Sequence, residues 1–490
     1  METFDIVVVG GGGAGLAAAI EARAAGCSVL LLEKNARLGG STAWSIGSVT
    51  STGTPHQRRK GIADSPADHW ADMPGFAGDL GPRDNAALRR ILCDEIPATF
   101  QWLLDAGVRF MGPMPEPPHR QPRMHNVLPN SRSFIYHLER RARAAGAVIR
   151  TAAVVQRLVR DEGRVTGVQL QGGETLTARR AVILAAGDFT NDPGFKARFM
   201  GEQEAQVGGV NPTATGDGQR MAEAVGAQIV NGDLALGPEL RFQPPATETL
   251  LRRLPPWRAL ASTLAWAVDH VPAVLLRPFM MKFLTTALAP STTLFEQGAA
   301  LVNARGERFG PETDRPAWRV PQQPGGCAWI LLDARLAQQF SAWPHFISTA
   351  PGVAYAYLPD YLRNRPDVSA RAATLDALAG RLGMDPGALA RSAQEGRLGA
   401  GPYVALGPVR SVFVHAEGGL KVDLQHRVLG PGDRPIPGLY AAGSTGQGGL
   451  LLKGHGHHLA WAFVSGRRSA RIAAQEVMQE RVPAPATEPA

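Results

Sequence analysis

The sequence predicts an α/β fold opening on a Rossmann-like unit, and three observations carry that reading. Thr3-Phe4-Asp5-Ile6-Val7-Val8-Val9 is a β-branched apolar run, the composition of a strand buried on both faces. It leads straight into Gly10-Gly11-Gly12-Gly13-Ala14-Gly15 and a helical pattern over 16–25, then a second apolar run, 28–32, ending in Glu33. Two later apolar runs, 181–187 and 436–443, also stop at glycine, as strands do before a close-packed turn.

Gly10, Gly12 and Gly15 satisfy the dinucleotide fingerprint. The first permits a tight turn, the second lets the backbone approach a pyrophosphate, and the third packs helix on strand. The helix start offers free N–H groups and a positive dipole end to phosphates. Glu33, eighteen residues beyond Gly15, is placed to accept hydrogen bonds from ribose hydroxyls. Read alone, this loop admits NAD, NADP or FAD. Lys34 follows, and the small-residue loop of Gly39, Gly40, Ser41 and Thr42 is expected to lie against the rest of a nucleotide.

A chain of 490 residues has room for two or three domains, and 44% hydrophobic content is ordinary for a globular protein. The net charge of +8 does not indicate nucleic acid, because the arginines are scattered and no nucleic-acid module is recognisable. Cys27, Cys93 and Cys327 are far apart and form no Cys-x-x-Cys pair, which argues against zinc, c-type haem and a redox disulfide. No metal is expected. The first strand follows Met1 directly, leaving no room for a signal peptide, so the cytoplasm is the expected compartment.

Along the chain, 51–85 reads as a surface excursion and 85–106 as an amphipathic helix. Residues 112–122, with five prolines, read as a loop lying over a pocket. A helix at 135–145 precedes a strand at 148–150 and a hairpin of 154–160 with 165–170. Thr215-Gly216-Asp217-Gly218 opens another helix, with Asp217 either its N-cap or a nucleotide contact. The long apolar region 254–295 is interrupted by Asp269, Pro272, Arg277, Pro278, Lys282 and Pro290, so it does not span a membrane. Two readings of it stay open: a packed cap, or a surface helix resting in a bilayer interface. Strands are expected at 300–303, 304–309 and 329–332, and helices over 366–398 with Pro366 and Pro386 near their starts. A second glycine-rich loop, 446–456, leads into a helix over 457–480, and the Pro/Ala-rich tail reads as disordered.

The two chain ends together resemble the flavoprotein family of fumarate reductases, flavocytochrome c, urocanate reductase and the 3-ketosteroid dehydrogenases, over 4–50, 134–230, 298–336 and 401–474. The resemblance implies an FAD-binding domain built from both ends, 1–232 and 411–480, with an inserted α+β substrate domain at 233–410 and a tail at 481–490. It places the FAD pyrophosphate on Gly10, Gly12, Ala14 and Gly15, the isoalloxazine before Gly39-Gly40-Ser41, and the adenine against Val155. Ala186 and Gly187, Asp217, and Gly443 with Ser444 fall in its internal and late FAD motifs. Gly456, His458 and Leu459 fall where backbone N–H groups face the flavin's pyrimidine edge. No histidine lies within 41–48, where some members attach FAD covalently, so noncovalent FAD is expected.

For the substrate side, the resemblance assigns His415 to a substrate carboxylate or carbonyl and Glu312 and Arg315 to a proton path. The family's carboxylate-clamping arginine falls on Lys453, which keeps the charge and loses the bidentate fork. Its proton-donating arginine falls on Ala337, with Arg335 nearby but out of register. His455, His457 and His458 beside Lys453 form an unusual cluster, best placed to line the pocket over the flavin. The expected reaction removes a hydride and a proton from adjacent carbons beside a carbonyl or carboxylate, or runs in reverse, on a cyclic or apolar substrate with an external electron partner. The alternative is an FAD-dependent oxidase or monooxygenase.

Overall fold

In a computed structural model of the chain, residues 2–245, 253–350 and 354–476 are described. The expected tail at 481–490, and the end of the helix expected to run to 480, lie outside them. The fold is mixed α/β. An eight-stranded sheet runs Arg427–Leu429, Pro435–Ala441, Thr175–Leu184, Thr3–Val9, Val29–Leu32, Val148–Arg150, with the hairpin Val155–Asp161 and Arg164–Leu170 joined to Thr175–Leu184. The five strands from Pro435–Ala441 to Val148–Arg150 are parallel, and Val182 stands in register with both Val7 and Leu439. The central side chains of the four strands from Pro435–Ala441 to Val29–Leu32 are buried, as continuous apolar runs require in a sheet covered on both faces, while the edge strand Val148–Arg150 is partly exposed. The helices Gly13–Ala24 and His457–Ala473 pack closely on one another there. That contact needs Gly466, where a Cβ would stand 2.3 Å from the Ala14 carbonyl oxygen.

A second, six-stranded sheet is organised on the long strand Tyr403–Phe413, which pairs with Gly208–Gly209, Glu239–Phe242, Ala328–Leu332 and Ser369–Ala372; Ala300–Val302 completes the sheet beside Ala328–Leu332. It has a core of its own around Leu301, Ile330, Leu336, Phe340 and Tyr361.

Several expectations are corrected here. Residues 51–85 are not a surface excursion: Ser51, Thr52, Gln57 and His69 are fully buried, and the segment packs on the helix Ala86–Asp105. The proline-rich stretch begins as the strand Arg109–Met114, paired with Met124–Leu128. Pro366 follows the end of a helix, Leu358–Asn364, rather than starting one, and the strand Ser369–Ala372 occupies part of the expected helix. Within 254–295 the helix Arg258–His270 buries only Ala261, and the next helix makes the described packing contacts. The helix Ala273–Ala287 sends Met281 into the second core and ties Arg277 to Asp360 at 2.7 and 2.9 Å. No described helix is long and apolar enough to cross a membrane.

Candidate active site

A cleft of about 850 Å³ lies at the carboxyl ends of Thr3–Val9, Thr175–Leu184 and Pro435–Ala441, where the loops of a parallel sheet converge on a ligand. Of the residues expected to hold cofactor, Gly10, Gly12, Ala14, Glu33, Lys34, Gly40, Ser41, Thr42, Val155, Ala186, Gly187, Asp217, Gly443 and Ser444 line it. Gly15, Gly39, Gly456, His458 and Leu459 do not. Gly15 acts from behind: a Cβ there would meet the Gly10 carbonyl oxygen at 1.9 Å, so only glycine lets the helix approach its strand. Leu459 is buried in the core.

The polar groups of the cleft suit a nucleotide. Glu33 is 5% exposed; its Oε2 accepts the Gly11 N–H at 2.8 Å and its Oε1 accepts Asn35. Lys34 Nζ donates to Thr215 Oγ1 and Asp217 Oδ2, both at 2.6 Å, across the cleft. Asp217 is therefore not the N-cap; Gly216 holds that place, and Asp217 sits in the first turn. Ser41 and Thr42 belong to a short helix, Gly40–Trp44, with Thr42 Oγ1 accepting the Gly13 N–H at 3.0 Å and Ser41 Oγ accepting Asn211 at 2.9 Å. A glycine cradle, a buried acid at the tip of the second strand and a helix start together fit FAD.

The second part of the site is the loop between Gly446 and the closing helix. Thr50 anchors it, donating Oγ1–H to the His455 carbonyl at 2.6 Å and its N–H to the Gly456 carbonyl. His455 Nδ1 lies 2.5 Å from Glu116 Oε1, and that partner raises the imidazole above its ordinary value. Lys453 is half-buried, and its Nζ has no hydrogen-bond or ion-pair partner among the described residues. His457 is fully buried with His69 and His119, its Nε2 at 3.4 and 3.3 Å from theirs. Burial pushes His457 down to about 4 and His119 to about 2, and holds His69 well below normal. This trio suits a cation poorly. Arg123 donates to His119 Nδ1 at 2.9 Å, which puts the ring proton on Nε2, toward His457.

His415 lies on the short strand His415–Ala416, paired with Ala235–Leu236. Two residues on, just past the end of the strand, Glu417 is 1% exposed. Its Oε2 accepts Gln447 Nε2 at 2.6 Å and the Leu452 N–H at 2.9 Å. Its Oε1 faces His415 Nε2 at 3.4 Å and His458 Nε2 at 3.5 Å, and none of these three atoms has a hydrogen bond of good geometry. Burial alone would push the Glu417 carboxyl up; the two imidazoles, His458 foremost, reverse that and hold it well below the usual carboxylate range.

The other expected catalytic residues are not brought here. Glu312 is bound bidentately by Arg308 at 2.6 and 2.7 Å and accepts the Leu301 N–H, so its partner is Arg308 and not Arg315. Arg315 takes a left-handed φ of 47° and lines a surface cleft with Gln203, Glu204 and Trp318. Arg335 is exposed and donates to the Gln297 carbonyl and to Gln339. Five residues absent from the sequence reading do reach the site: Glu417, Glu116, His69, His119 and Arg241. Arg241, on Glu239–Phe242, pairs with Glu239 at 2.5 Å, and both charges act on His455. A carboxylate two residues past His415 was the one available signal; the others sit in stretches without periodicity.

The match to known proteins follows this geometry. The model of the FAD binding domain family covers residues 5–248 and 265–451. The chain belongs to that family. FAD is its cofactor. It is 26% identical to the vinyl phenol reductase of Lactiplantibacillus plantarum, covering 98% of each chain. It is 25% identical to the NADH:fumarate oxidoreductase of Klebsiella pneumoniae over 91% of this chain, spanning 44% of that protein's length. Among solved structures, the open conformation of a flavocytochrome c3 fumarate reductase superposes with a TM-score of 0.73 at 24% identity, over 96% of this chain and 78% of that one.

Proposed function

We propose that the protein is an FAD-dependent oxidoreductase that interconverts a CH–CH unit and a C=C bond beside a carbonyl or carboxylate. The observation that carries this is Lys453, without a partner among the described residues, on the loop that holds His455 and leads into the helix bearing His458, with His415 against His458 at a ring separation of 3.6 Å. FAD, when bound, supplies the acceptor or donor of the hydride. The protein's part is to hold the substrate and manage one proton. Lys453 anchors or polarises the substrate's carbonyl group as a point charge, beside His455, whose affinity for a proton the Glu116 carboxylate raises. His415 stands on a strand end fixed by Gly418 and Gly419, where Cβ atoms would meet Gly232 Cα at 2.7 Å and the Ser444 carbonyl oxygen at 2.6 Å.

FAD is held noncovalently in this reading, and the six-stranded unit closes over the substrate. Lys453 on the loop before the closing helix argues for an anionic or carbonyl group on the substrate. Trp257, Trp266 and Leu275 remain 60%, 58% and 64% exposed, which supports peripheral contact with a bilayer surface. Holoprotein titrated with enones, saturated ketones and unsaturated acids tests the reaction: the flavin's visible band should bleach, or recover from the reduced state, with one class only. Acid precipitation tests the noncovalent attachment, since a yellow pellet would contradict it.

A further inference from the structure

The side chains of His415, Glu417 and His458 form an arrangement that the reaction above does not by itself require. Glu417 is a carboxylate buried to 1% exposure, clamped through Oε2 by Gln447 and the Leu452 N–H, with Oε1 turned toward two imidazole Nε2 atoms. A buried anion with one oxygen lacking a good hydrogen bond is costly unless a neighbour supplies a proton. Both neighbours compete for one oxygen. Burial, and then His415, push His458 down to about 4, so His458 is the neutral member. His415 and His458 are similarly exposed, at 17% and 18%; His415 lies on a short strand opposite the exposed Leu236, whereas His458 is fixed in the closing helix, and His415 is the member assigned to the substrate.

We infer that Glu417 is a positioning residue that makes His415 the acid–base group of the reaction, in place of the arginine missing at Ala337. This rests on the CH–CH reading above. His415 keeps its Nε2–H directed at Glu417 Oε1, which leaves Nδ1, without a hydrogen-bond partner among the described residues, for the substrate. In the dehydrogenation direction, the C–H bond beside the carbonyl breaks and its proton goes to His415 Nδ1. The electron pair left behind becomes the second bond to the neighbouring carbon as that carbon's hydride departs to oxidised FAD. In the reverse direction Nδ1 returns the proton. Glu417 stabilises the imidazolium that forms, as a carboxylate does behind any catalytic imidazole. The other charged groups around the trio are Asp188, close enough to His415 to feel its charge; Asp84 with its partner Arg89, beside Glu417; His457 beside His458; and Lys453 on the loop before it. Burial raises both Asp188 and Asp84, so neither outcompetes Glu417 for the proton-bearing imidazole.

The test is a pH titration of 13Cε1-histidine-labelled holoprotein by NMR without substrate, with His415 assigned through His415→Gln. Loss of the facing carboxylate in Glu417→Gln should lower the His415 midpoint by about one unit or more. In the same variant, turnover near neutral pH should drop about tenfold or more with KM changed far less, the acidic limb of the pH profile should move, and Glu417→Asp should recover part of the loss. A midpoint unchanged by Glu417→Gln overturns the inference. So does one equivalent of bound transition metal per chain, since the three lone pairs would then be ligands. If Glu417→Gln fails to fold, His458→Gln takes its place: removing the competitor should raise the His415 midpoint, and no change overturns the inference. If wild-type flavin responds to no conjugated substrate, the reaction reading fails, while the NMR midpoints still judge Glu417.

Discussion

Lys453 is the residue on which the substrate reading turns. Without its charge, Lys453→Ala should lose about tenfold or more in kcat/KM, roughly 1.4 kcal/mol or more of transition-state binding, measured by steady-state kinetics on the substrate class that bleaches the flavin. An unchanged kcat/KM would remove Lys453 from the site. Gly15 gives an equally sharp expectation. A methyl group there would stand 1.9 Å from the Gly10 carbonyl oxygen, so Gly15→Ala should purify with little or no flavin, read as the ratio of visible to ultraviolet absorbance. Residues of this second kind were legible in the sequence because a backbone contact leaves glycine as the only choice at a fixed spacing. Glu312, Arg315 and Arg335 were misplaced because side-chain partnerships across a fold leave no such trace. Glu312 is taken by Arg308, four residues before it, an interaction that local spacing permits as readily as a pairing with Arg315.

At the scale of elements, the surprise is the segment 51–85, whose polar, proline-rich composition suggested solvent. It is buried through charge rather than through apolar periodicity. Arg123, fully buried, binds Asp64 at 2.7 Å and Asp72 at 2.6 Å, and so closes the segment onto the strand Met124–Leu128 that begins beside it. Arg123→Leu leaves the buried Asp64 without a cation and Asp72 with Arg120 alone, and should cost about 3–5 kcal/mol, seen as a fall of several degrees in the thermal midpoint. The His69–His119–His457 knot beside it makes an acid-sensitive joint. All three imidazoles are neutral in the fold, with affinities for protons below those of the unfolded chain. Their contribution is complete above about pH 6.5 and is lost as pH falls below it, by up to roughly 1.4 kcal/mol per unit for each group. Melting curves between neutral pH and pH 5 should therefore steepen in their pH dependence, and His457→Asn should flatten it. Periodic patterns located the sheet strands and the long helices; buried polar joints of this kind carry no period and were invisible.

Over the whole molecule, the cleft for FAD is made of loops from both chain ends, with Gly10 to Ala14 on one side and Gly443 and Ser444 on the other. Ligand that binds only the assembled state stabilises by mass action, so stripping FAD should lower the thermal midpoint and FAD at about a hundredfold over its dissociation constant should restore about 2.7 kcal/mol. The mixed α/β class and the cofactor could be read from sequence because glycine turns after apolar strands are local signals; the second sheet, threaded through Tyr403–Phe413 from five separate stretches, is not local and could not be. The adjacency of Thr175–Leu184 and Pro435–Ala441 also sets a clock on biosynthesis. A ribosome adding about 5–20 residues per second delivers the second of these strands roughly 10–50 s after the first. Throughout that interval Val182 to Leu184 have no permanent neighbour on that side, and the nascent chain cannot enclose its flavin. The order of the strands in space thus makes cofactor capture one of the last events in the life of the nascent chain, and makes that waiting edge the place where a chaperone or a misplaced strand would compete.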